Sequence, residues 1–370
     1  MLYRRMRIEV ESPEEMGYGR IRNNLSESSI TDRTLGDFTV DLSGLLLPYG
    51  EHRGEPRLRE LIAAQGSDAS VTMADVLVTQ GAAGALFIAA TSLLDKDSHL
   101  VVVRPNYATN LETPRAIGCG MTCVDLSFDD AWQLDLAAVE RAVHPTTRLI
   151  SVTSPHNPTG TVLPWETLVA LEQLAERQGC LLLVDETYRD LTYGEPPPTA
   201  ASISPRVIAV SSLSKAFGTP GLRLGWLITR DPALMELFLA AKEQIGICGG
   251  IIDERLGVAV LEQRDAFLSR SRPHNRARRD IVRDWIAREP LMEWVEPQGG
   301  VVCFPRMRVA TDFDTDRFYD SLLHAHGTYV GPGHWFEMSK RYMRIGFAWP
   351  TEQELRDGLA AISAALREQG

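Results

Sequence analysis

Residues 211–225 of this 370-residue chain read SSLSKAFGTPGLRLG and place one lysine, Lys215, among hydroxyls, glycines and an arginine. A lysine amine can condense with an aldehyde, while the hydroxyls of Ser212 and Ser214 and the guanidinium of Arg223 can bind a phosphate. Glycine-rich turns that carry a solvated lysine are also common at protein surfaces. The segment alone therefore leaves two interpretations open, a site for a phosphorylated aldehyde and a surface loop.

Polar residues that could bind an aromatic ring follow other apolar segments of the chain. Asn157 lies in the loop 154–160, where two prolines and a glycine restrict the backbone. Asp185 ends an apolar run, and a buried carboxylate there is costly unless it pairs with a cation such as a protonated pyridine nitrogen. Tyr188 could bond the phenolic oxygen of the same ring. A helix-capping role for Asp185 stays open.

Three further features belong to the same group of loops. Gly81, Ala82 and Ala83 open a helix after an apolar run, and the free backbone N–H groups of such a turn bind phosphate. Tyr107 could lie flat on a heteroaromatic ring. His156 could line a site or serve a structural role.

Short apolar runs alternate with amphipathic stretches through the first two thirds of the chain. The pattern predicts strands at 76–79, 100–103, 149–153, 181–184, 207–210 and 224–229, and helices at 85–94, 134–143 and 165–178. This alternation predicts a mainly parallel sheet with helices on both faces. Ligands bind at the carboxyl ends of the strands in such sheets. The polar residues above therefore meet at one edge, where together they describe a pyridoxal phosphate site.

The pattern changes near residue 250. Residues 255–288 predict a long charged helix with a kink or break at 272–274. Later segments predict a helix at 314–327, a strand at 342–347 and a helix at 351–368. These elements form a smaller α+β unit.

The composition argues against several classes of partner and site. The net charge of −11 disfavours nucleic acid or an anionic membrane as the main partner. The five cysteines contain no C-x-x-C pair, so we expect no metal site, no disulfide framework and a cytoplasmic protein with reduced thiols. The uncharged stretch 76–94 divides into a strand, a turn and a helix, so no membrane span is predicted.

Taken together, the motifs resemble those of the fold-type I pyridoxal-phosphate enzymes of the aminotransferase class I/II family. They run through nearly the whole chain: Tyr49-x4-Gly54 with Leu58-Arg59, Gln80-Gly-Ala, Pro105-Asn-Tyr107, His156-Asn-Pro-Thr-Gly160, Asp185-Glu-Thr-Tyr188, Ser212-Leu-Ser-Lys215 with Arg223, and Arg344-Ile-Gly-Phe. The resemblance implies an α/β fold with a mainly parallel seven-stranded sheet in a three-layer αβα arrangement and a smaller α+β domain. It divides the chain into a substrate-covering segment of the small domain (1–40), a large cofactor-binding domain (41–250) and a small C-terminal domain (251–370).

The resemblance also assigns roles around the cofactor ring. Lys215 would hold pyridoxal 5'-phosphate as a Schiff base and, once freed by the substrate amine, take the Cα proton. Asp185 would pair with the ring nitrogen. Tyr188 and Asn157 would bond the ring oxygen, and Tyr107 would stack on the ring.

By the same resemblance, Arg344 would bind the carboxylate of an amino-acid substrate with help from Asn157. The phosphate would be bound by Ser212, Arg223, the backbone of Gly81, Ala82 and Ala83, and Tyr49 from the second subunit of a homodimer.

Residues 24–37 depart from ordinary aminotransferases, in which a glycine–proline pair opens the substrate-covering segment. They resemble the corresponding segment of the arginine-acting pyridoxal enzymes of the capreomycidine synthase type. If this segment lies over the site, Glu27 and Asp32 could meet a guanidinium or ammonium group of the substrate. A helix cap or a solvated acidic loop is the alternative interpretation.

Two enzyme functions follow. The first is an aminotransferase that exchanges the amino group between an amino acid and a 2-oxo acid. The second is an arginine-type enzyme of antibiotic biosynthesis that eliminates the β-hydroxyl of 3-hydroxyarginine and closes a ring, or oxidises arginine with dioxygen. We do not expect a cofactor-binding regulator, since the segment before Tyr49 is too short for the DNA-binding part of such proteins.

Overall fold

The computed structural model of the chain describes residues 1–65 and 70–368. Two short helices and a short strand come first: α1 (Arg7–Val10), α2 (Pro13–Met16) and β1 (Asn23–Asn24). The 3-10 helix Tyr18–Arg20 lies between α2 and β1. Helices this short are not stable alone in water, so contacts with the rest of the fold must hold them.

The central part of the chain alternates strands and helices. Its elements are α3 (Pro56–Ala64), β2 (Val76–Gln80), α4 (Gly81–Leu93), β3 (His99–Arg104), α5 (Thr109–Ile117), β4 (Gly120–Asp125), α6 (Leu136–Ala142), β5 (Thr147–Thr153), α7 (Trp165–Gln178), β6 (Leu181–Asp185), β7 (Val207–Ser212), β8 (Leu224–Ile228) and α8 (Pro232–Gly246). The seven strands β2 to β8 form one sheet in the order β2-β8-β7-β6-β5-β3-β4. Only β8 runs antiparallel to its neighbours, which confirms the predicted mainly parallel seven-stranded sheet.

Helices cover both faces of this sheet. Alternate residues of β3 belong to different buried clusters, because successive side chains of a strand point to opposite faces. Val101 and Val103 pack in the cluster that contains Leu171 of α7. Leu100 and Val102 pack on the opposite face, in the cluster that contains Leu86 of α4 and Phe238 of α8. The result is the predicted three-layer αβα arrangement.

The start of one helix and the presence of one strand in this part differ from the predictions. Helix α4 begins at Gly81 rather than at Ala85, so the small residues 81–84 form its first turn. The strand β4 was not predicted, because it lies at the sheet edge and its residues are mostly half-buried. An edge strand of this kind lacks the continuous apolar run that marks a strand buried on both faces.

The C-terminal part contains short strands and longer helices. Its elements are α9 (Ile251–Glu262), α10 (Arg264–Ile286), β9 (Met292–Glu293), β10 (Val302–Cys303), β11 (Arg306–Met307), α11 (Thr315–His324), β12 (Thr328–Tyr329), β13 (Gly331–Pro332), β14 (Met343–Gly346) and α12 (Glu352–Arg367). Strands β10, β14 and β13 form an antiparallel sheet. The N-terminal strand β1 pairs in parallel with β12, so the first residues of the chain pack on this C-terminal part.

The break predicted at 272–274 was wrong. Pro273 lies inside the continuous helix α10, and the chain interrupts its helix earlier, at Gln263. Proline at position 273 removes the hydrogen bond that its N–H would donate to the Ser269 carbonyl. Both residues are exposed on the solvent face, where water can satisfy that carbonyl, while the opposite face of α10 stays packed.

Within residues 1–65 and 70–368, no helix combines the length and the apolar character needed to cross a membrane. The uncharged stretch 76–94 forms β2 and α4, as its sequence predicts. All five cysteines are free thiols, and Cys180 and Cys303 are buried.

Candidate active site

The carboxyl ends of several central strands open into one cavity of about 630 Å³. Loops after β2, β3, β5, β6 and β7 contribute to its wall, together with the N-terminal segment and β14. The residues predicted for a site that line it are Glu27, Ala82, Ala83, Tyr107, Asn157, Asp185, Tyr188, Ser212, Lys215, Arg223 and Arg344. The topology therefore brings residues from the whole length of the chain to one place.

Lys215 follows β7 and points into this cavity. Its Nζ donates a hydrogen bond of 2.9 Å to the Ser28 hydroxyl, and its carbonyl accepts one from the backbone of Ile30. Desolvation, followed by the nearby guanidinium of Arg344, lowers the pKa of the Lys215 amine. A lysine with a lowered pKa is a better nucleophile and base near neutral pH, because more of it is uncharged.

Asp185 ends β6 and is buried. One oxygen of its carboxylate, Oδ1, accepts hydrogen bonds from the backbone N–H and the hydroxyl of Thr187 at 3.0 and 2.6 Å. Burial raises the pKa of Asp185, and the bonds from Thr187 oppose this rise. In the described part of the chain no cation forms an ion pair with the buried Asp185 carboxylate, so a protonated ring nitrogen fits this position.

The loop after β2 and the loop before β8 form a cradle of small residues beside Arg223, at the edge of the cavity. Gly225 packs so closely that a Cβ there would lie 2.3 Å from the Gly81 carbonyl carbon, and a Cβ on Gly81 would lie 2.7 Å from Arg223. The cap residue Gln80 makes no side-chain hydrogen bond to the first turn of α4. The first N–H groups of a helix lack intrahelical partners. This cradle therefore suits a phosphate bound by helix N–H groups and a guanidinium.

The wall of the cavity between Asp185 and the glycine cradle contains the residues that the sequence predicts to contact the cofactor ring. Tyr107 and Asn157 line it from the loops after β3 and β5. Asn157 accepts a bond from Arg344 through Oδ1, and its amide nitrogen makes no hydrogen bond to any residue that the structure describes. The Tyr188 hydroxyl donates to the Ser28 carbonyl at 2.7 Å. That donor is thus engaged by the protein, whereas the Asn157 amide is free to bond a ring oxygen.

Arg344 enters the cavity from β14 and is 4% exposed. Its guanidinium donates to Asn157 Oδ1 at 3.2 Å and to the Ser26 carbonyl at 2.7 Å, while its Nε is buried without a partner. The aromatic rings of Trp335 and Phe336 flank it. A positioned guanidinium with an unsatisfied donor is suited to a carboxylate.

The N-terminal segment closes one side of the cavity through Ser26, Glu27 and Ser28. It lies tightly against the loop of Lys215, since a Cβ on Gly218 would lie 2.4 Å from the Thr31 carbonyl. Gly218 also accepts a hydrogen bond from the Arg33 backbone. The segment therefore lies over the site, the arrangement on which the sequence-based hypothesis for Glu27 depends.

Four predicted or considered residues do not line the cavity. Gly81 lies against the Arg223 guanidinium without being part of the wall. Asp32 is exposed and accepts a hydrogen bond from Trp349, outside the site to which the sequence assigned it. Tyr49 is 82% exposed and lies outside the cavity of its own chain. His156 is structural: it is buried and its ring nitrogens bond Thr159 and the Pro105 carbonyl, while burial lowers its pKa to about 4.

Sequence reasoning missed part of the wall. Glu9, Glu14 and Tyr18 line the mouth of the cavity from the short N-terminal helices, and Trp335 lines it from the C-terminal part. These positions stand in no motif and far from Lys215 in the chain. Residues 1–20 contain four arginines and four glutamates, so no charge pattern in the sequence singles out these positions.

Comparisons with known proteins all find relatives of one enzyme family. The family model for aminotransferase class I and II matches residues 37–362. Capreomycidine synthase of Streptomyces vinaceus is 31% identical over 94% of this chain and 91% of its own length. Arginine–pyruvate transaminase of Pseudomonas aeruginosa is 28% identical over 86% of this chain and 82% of its own length. A solved PLP-dependent aminotransferase from Streptococcus suis has a TM-score of 0.90 and 27% identity, over 98% of each chain.

Proposed function

The chain belongs to the aminotransferase class I and II family, and we propose that the cavity around Lys215 is its active site. It is an enzyme of the aminotransferase type that depends on pyridoxal phosphate and acts at Cα of an α-amino acid. The observation that carries the site is the convergence of Lys215, Asp185, Arg223 and Arg344 in one cavity.

The residues around the cavity fit the cofactor. Arg223, Ser212 and the N–H groups of Ala82 and Ala83 would hold its phosphate in the glycine cradle, where Gly81 leaves room for the guanidinium. Asp185 provides a negative charge beside the ring nitrogen. Asn157, Tyr188 and Tyr107 line the cavity; the Asn157 amide would donate to the ring oxygen, and Tyr107 would pack on the ring.

When bound to an amino acid, pyridoxal phosphate withdraws electrons from Cα and makes its proton acidic. Arg344 and Asn157 bind the substrate carboxylate and so fix the orientation of Cα. The uncharged amine of Lys215 takes the proton from Cα and returns it in the second part of the reaction. Ser28 holds this amine through its hydroxyl when the lysine is free.

A second candidate function is the ring-closing elimination of an arginine-type substrate. It is favoured by the 31% identical capreomycidine synthase and by the position of residues 26–28 over Lys215. A 2-oxo acid acceptor distinguishes the two functions. An aminotransferase requires this acceptor for repeated turnover, whereas an elimination of 3-hydroxyarginine proceeds without it.

The enzyme is a homodimer with shared active sites in this proposal. Tyr49 is exposed together with Leu46 and Leu47, and an exposed apolar group of this kind marks a protein interface. In a dimer, Tyr49 of each chain would reach the phosphate of the other site. Mixing Lys215→Ala and Tyr49→Ala variants then restores activity, because one site of each mixed dimer receives both native residues; no restoration would exclude shared sites.

The division into residues 1–40, 41–250 and 251–370 and a cytoplasmic location belong to the same proposal. The pairing of β1 with β12 supports the assignment of the N-terminal segment to the small domain. The five free thiols suit a reducing compartment.

Covalent trapping tests the site. Borohydride reduction of the protein incubated with pyridoxal phosphate should leave the cofactor on the peptide that contains Lys215, as seen by mass spectrometry. The matched control is Lys96→Ala, which removes an exposed lysine paired with Asp97 and should leave labelling unchanged. Labelling of another lysine, or none at all, would exclude the proposed site. Incubation with a panel of amino acids and 2-oxo acids then measures amino-group exchange.

A further inference from the structure

Three carboxylates line the mouth of the cavity: Glu9 of α1, Glu14 of α2, and Glu27, which follows β1. We refer to them as the carboxylate trio. Glu9 and Glu14 are exposed, and Glu27 is half-buried. Neither the motifs of the family nor the cofactor-binding roles above use Glu9 or Glu14.

The trio differs from its acidic neighbours because its members form no ion pairs with described residues. In the part of the chain that the structure describes, none of the three forms an ion pair. By contrast, Glu11 pairs with His334 and Glu15 with Arg5. The carboxylates that face away from the cavity are thus neutralised by the protein, and those that face into it are not.

The cations inside the cavity already have partners in the proposed function. Arg344 binds the substrate carboxylate, Arg223 binds the phosphate, and Lys215 acts as the base. The remaining cavity anion, Asp185, pairs with the ring nitrogen. The trio is then the excess negative charge on the wall of the cavity.

Glu27 is the best placed of the three. Both of its hydrogen bonds, from the Tyr18 hydroxyl at 3.1 Å and the Asn24 amide at 3.4 Å, reach Oε1. Its Oε2 accepts no bond from any described residue. Tyr18 is itself stacked on Trp349, so Glu27 is held in a fixed orientation with one oxygen free. Burial and the charge of Glu14 raise the pKa of Glu27, and a nearby cation would offset both effects.

We propose that the carboxylate trio selects an α-amino acid whose side chain ends in a cation, with Glu27 as the principal contact. The inference rests on the proposed function, because it assumes that Lys215 and Arg344 fix the α-amino and α-carboxylate groups. A neutral side chain would leave the negative charge of the three carboxylates without a cation, and a second carboxylate would be repelled by them.

The test compares arginine with citrulline, which has nearly the same shape without the charge. The reaction of the cofactor-loaded enzyme with each amino acid is followed by the absorbance of the cofactor, which gives kcat/KM. The wild-type enzyme should prefer arginine. Glu27→Gln should reduce the arginine-to-citrulline ratio by roughly 10- to 100-fold, the range expected for a lost hydrogen bond between charged groups.

Two further variants sharpen the result. Glu14→Gln should reduce the ratio by only about two- to fivefold, because an exposed charge pair contributes little. Glu15→Gln is the matched control: it changes a neighbouring glutamate that pairs with Arg5, and it should leave the ratio unchanged. Because the readout is a ratio, a general loss of active protein in a variant does not affect it.

The outcomes separate the inference from the proposed function. If wild type converts citrulline as well as arginine, or if Glu27→Gln slows both amino acids equally, the inference is wrong while Lys215 labelling still supports the site. If no labelling occurs at Lys215, the proposed function fails first. A preference for aspartate over arginine would also overturn the role of the trio.

Discussion

The substitution Gly225→Ala tests the phosphate cradle directly. The added Cβ would lie 2.3 Å from the Gly81 carbonyl carbon and 2.5 Å from the Ala82 nitrogen. Ordinary contact begins near 3.4 Å, so the first turn of α4 would have to retreat by about 1 Å. Both opposing atoms belong to the backbone and cannot turn aside as a side chain would. The backbone of Gly225 is not in the left-handed region, so the effect comes from contact alone.

The expected magnitude follows from the cost of overpacking. Inserting a methyl group into a packed site costs about 1–3 kcal/mol. If the first turn moves to relieve the contact, its N–H groups leave the phosphate, and the Kd for pyridoxal phosphate rises by about 5- to 150-fold. If the turn does not move, the cost appears as a lower Tm of the cofactor-free protein. Equilibrium dialysis and thermal unfolding measure the two effects separately.

Gly221→Ala is the matched control. Gly221 lies in the same loop and lines the cavity, but a Cβ there would have no atom within 4 Å. Its Kd and Tm should stay at the wild-type values. If Gly225→Ala binds pyridoxal phosphate within twofold of wild type and also unfolds at the wild-type temperature, the predicted clash does not exist.

Two other predictions concern groups next to the site. Ser28→Ala removes the hydrogen bond to the Lys215 amine. It should lower kcat by about 2- to 10-fold with little change in KM. A larger isotope effect with α-deuterated substrate, together with recovery of kcat in Ser28→Thr, would distinguish a loss of lysine positioning from misfolding. His156 is neutral and buried with a pKa of about 4, whereas a histidine in the unfolded chain takes up a proton near pH 6.5. Lowering the pH from about 6.5 to about 4 should therefore reduce the free energy of unfolding by about 3 kcal/mol. His156→Gln should flatten this pH dependence in urea unfolding, and an unchanged slope would contradict the assignment.

The strands and the cofactor-binding loops could be predicted from the sequence because their signals are local. A strand buried on both faces must be a continuous apolar run, as at 181–184, and the residue that ends it must lie at the sheet edge. Asp185, Lys215 and the small residues 81–83 could therefore be placed before any tertiary structure was known. Helix α7 was predicted with its observed bounds for the same reason.

Predictions failed where the decisive contact is distant in sequence or depends on solvent. Pro273 breaks most helices, yet its position on the solvent face of α10 lets that helix continue. The strand β4 is only half-buried at the sheet edge and lacks an apolar run. Asp32 was assigned to the site with Glu27, but the backbone turns between them and leaves Asp32 outside.

The sequence by itself determined the α/β fold, the cofactor and the residues that could hold it, because each depends on a residue type at a fixed place relative to its own strand. The tertiary structure was needed to show which acidic side chains line the cavity, because they come from separate segments. The helices α1 and α2 are too short to have a preferred position of their own. Their packing, together with the pairing of β1 and β12, carries Glu9, Glu14 and Glu27 to the mouth of the cavity. Which glutamates stay unpaired there depends on distances between segments that no local pattern encodes.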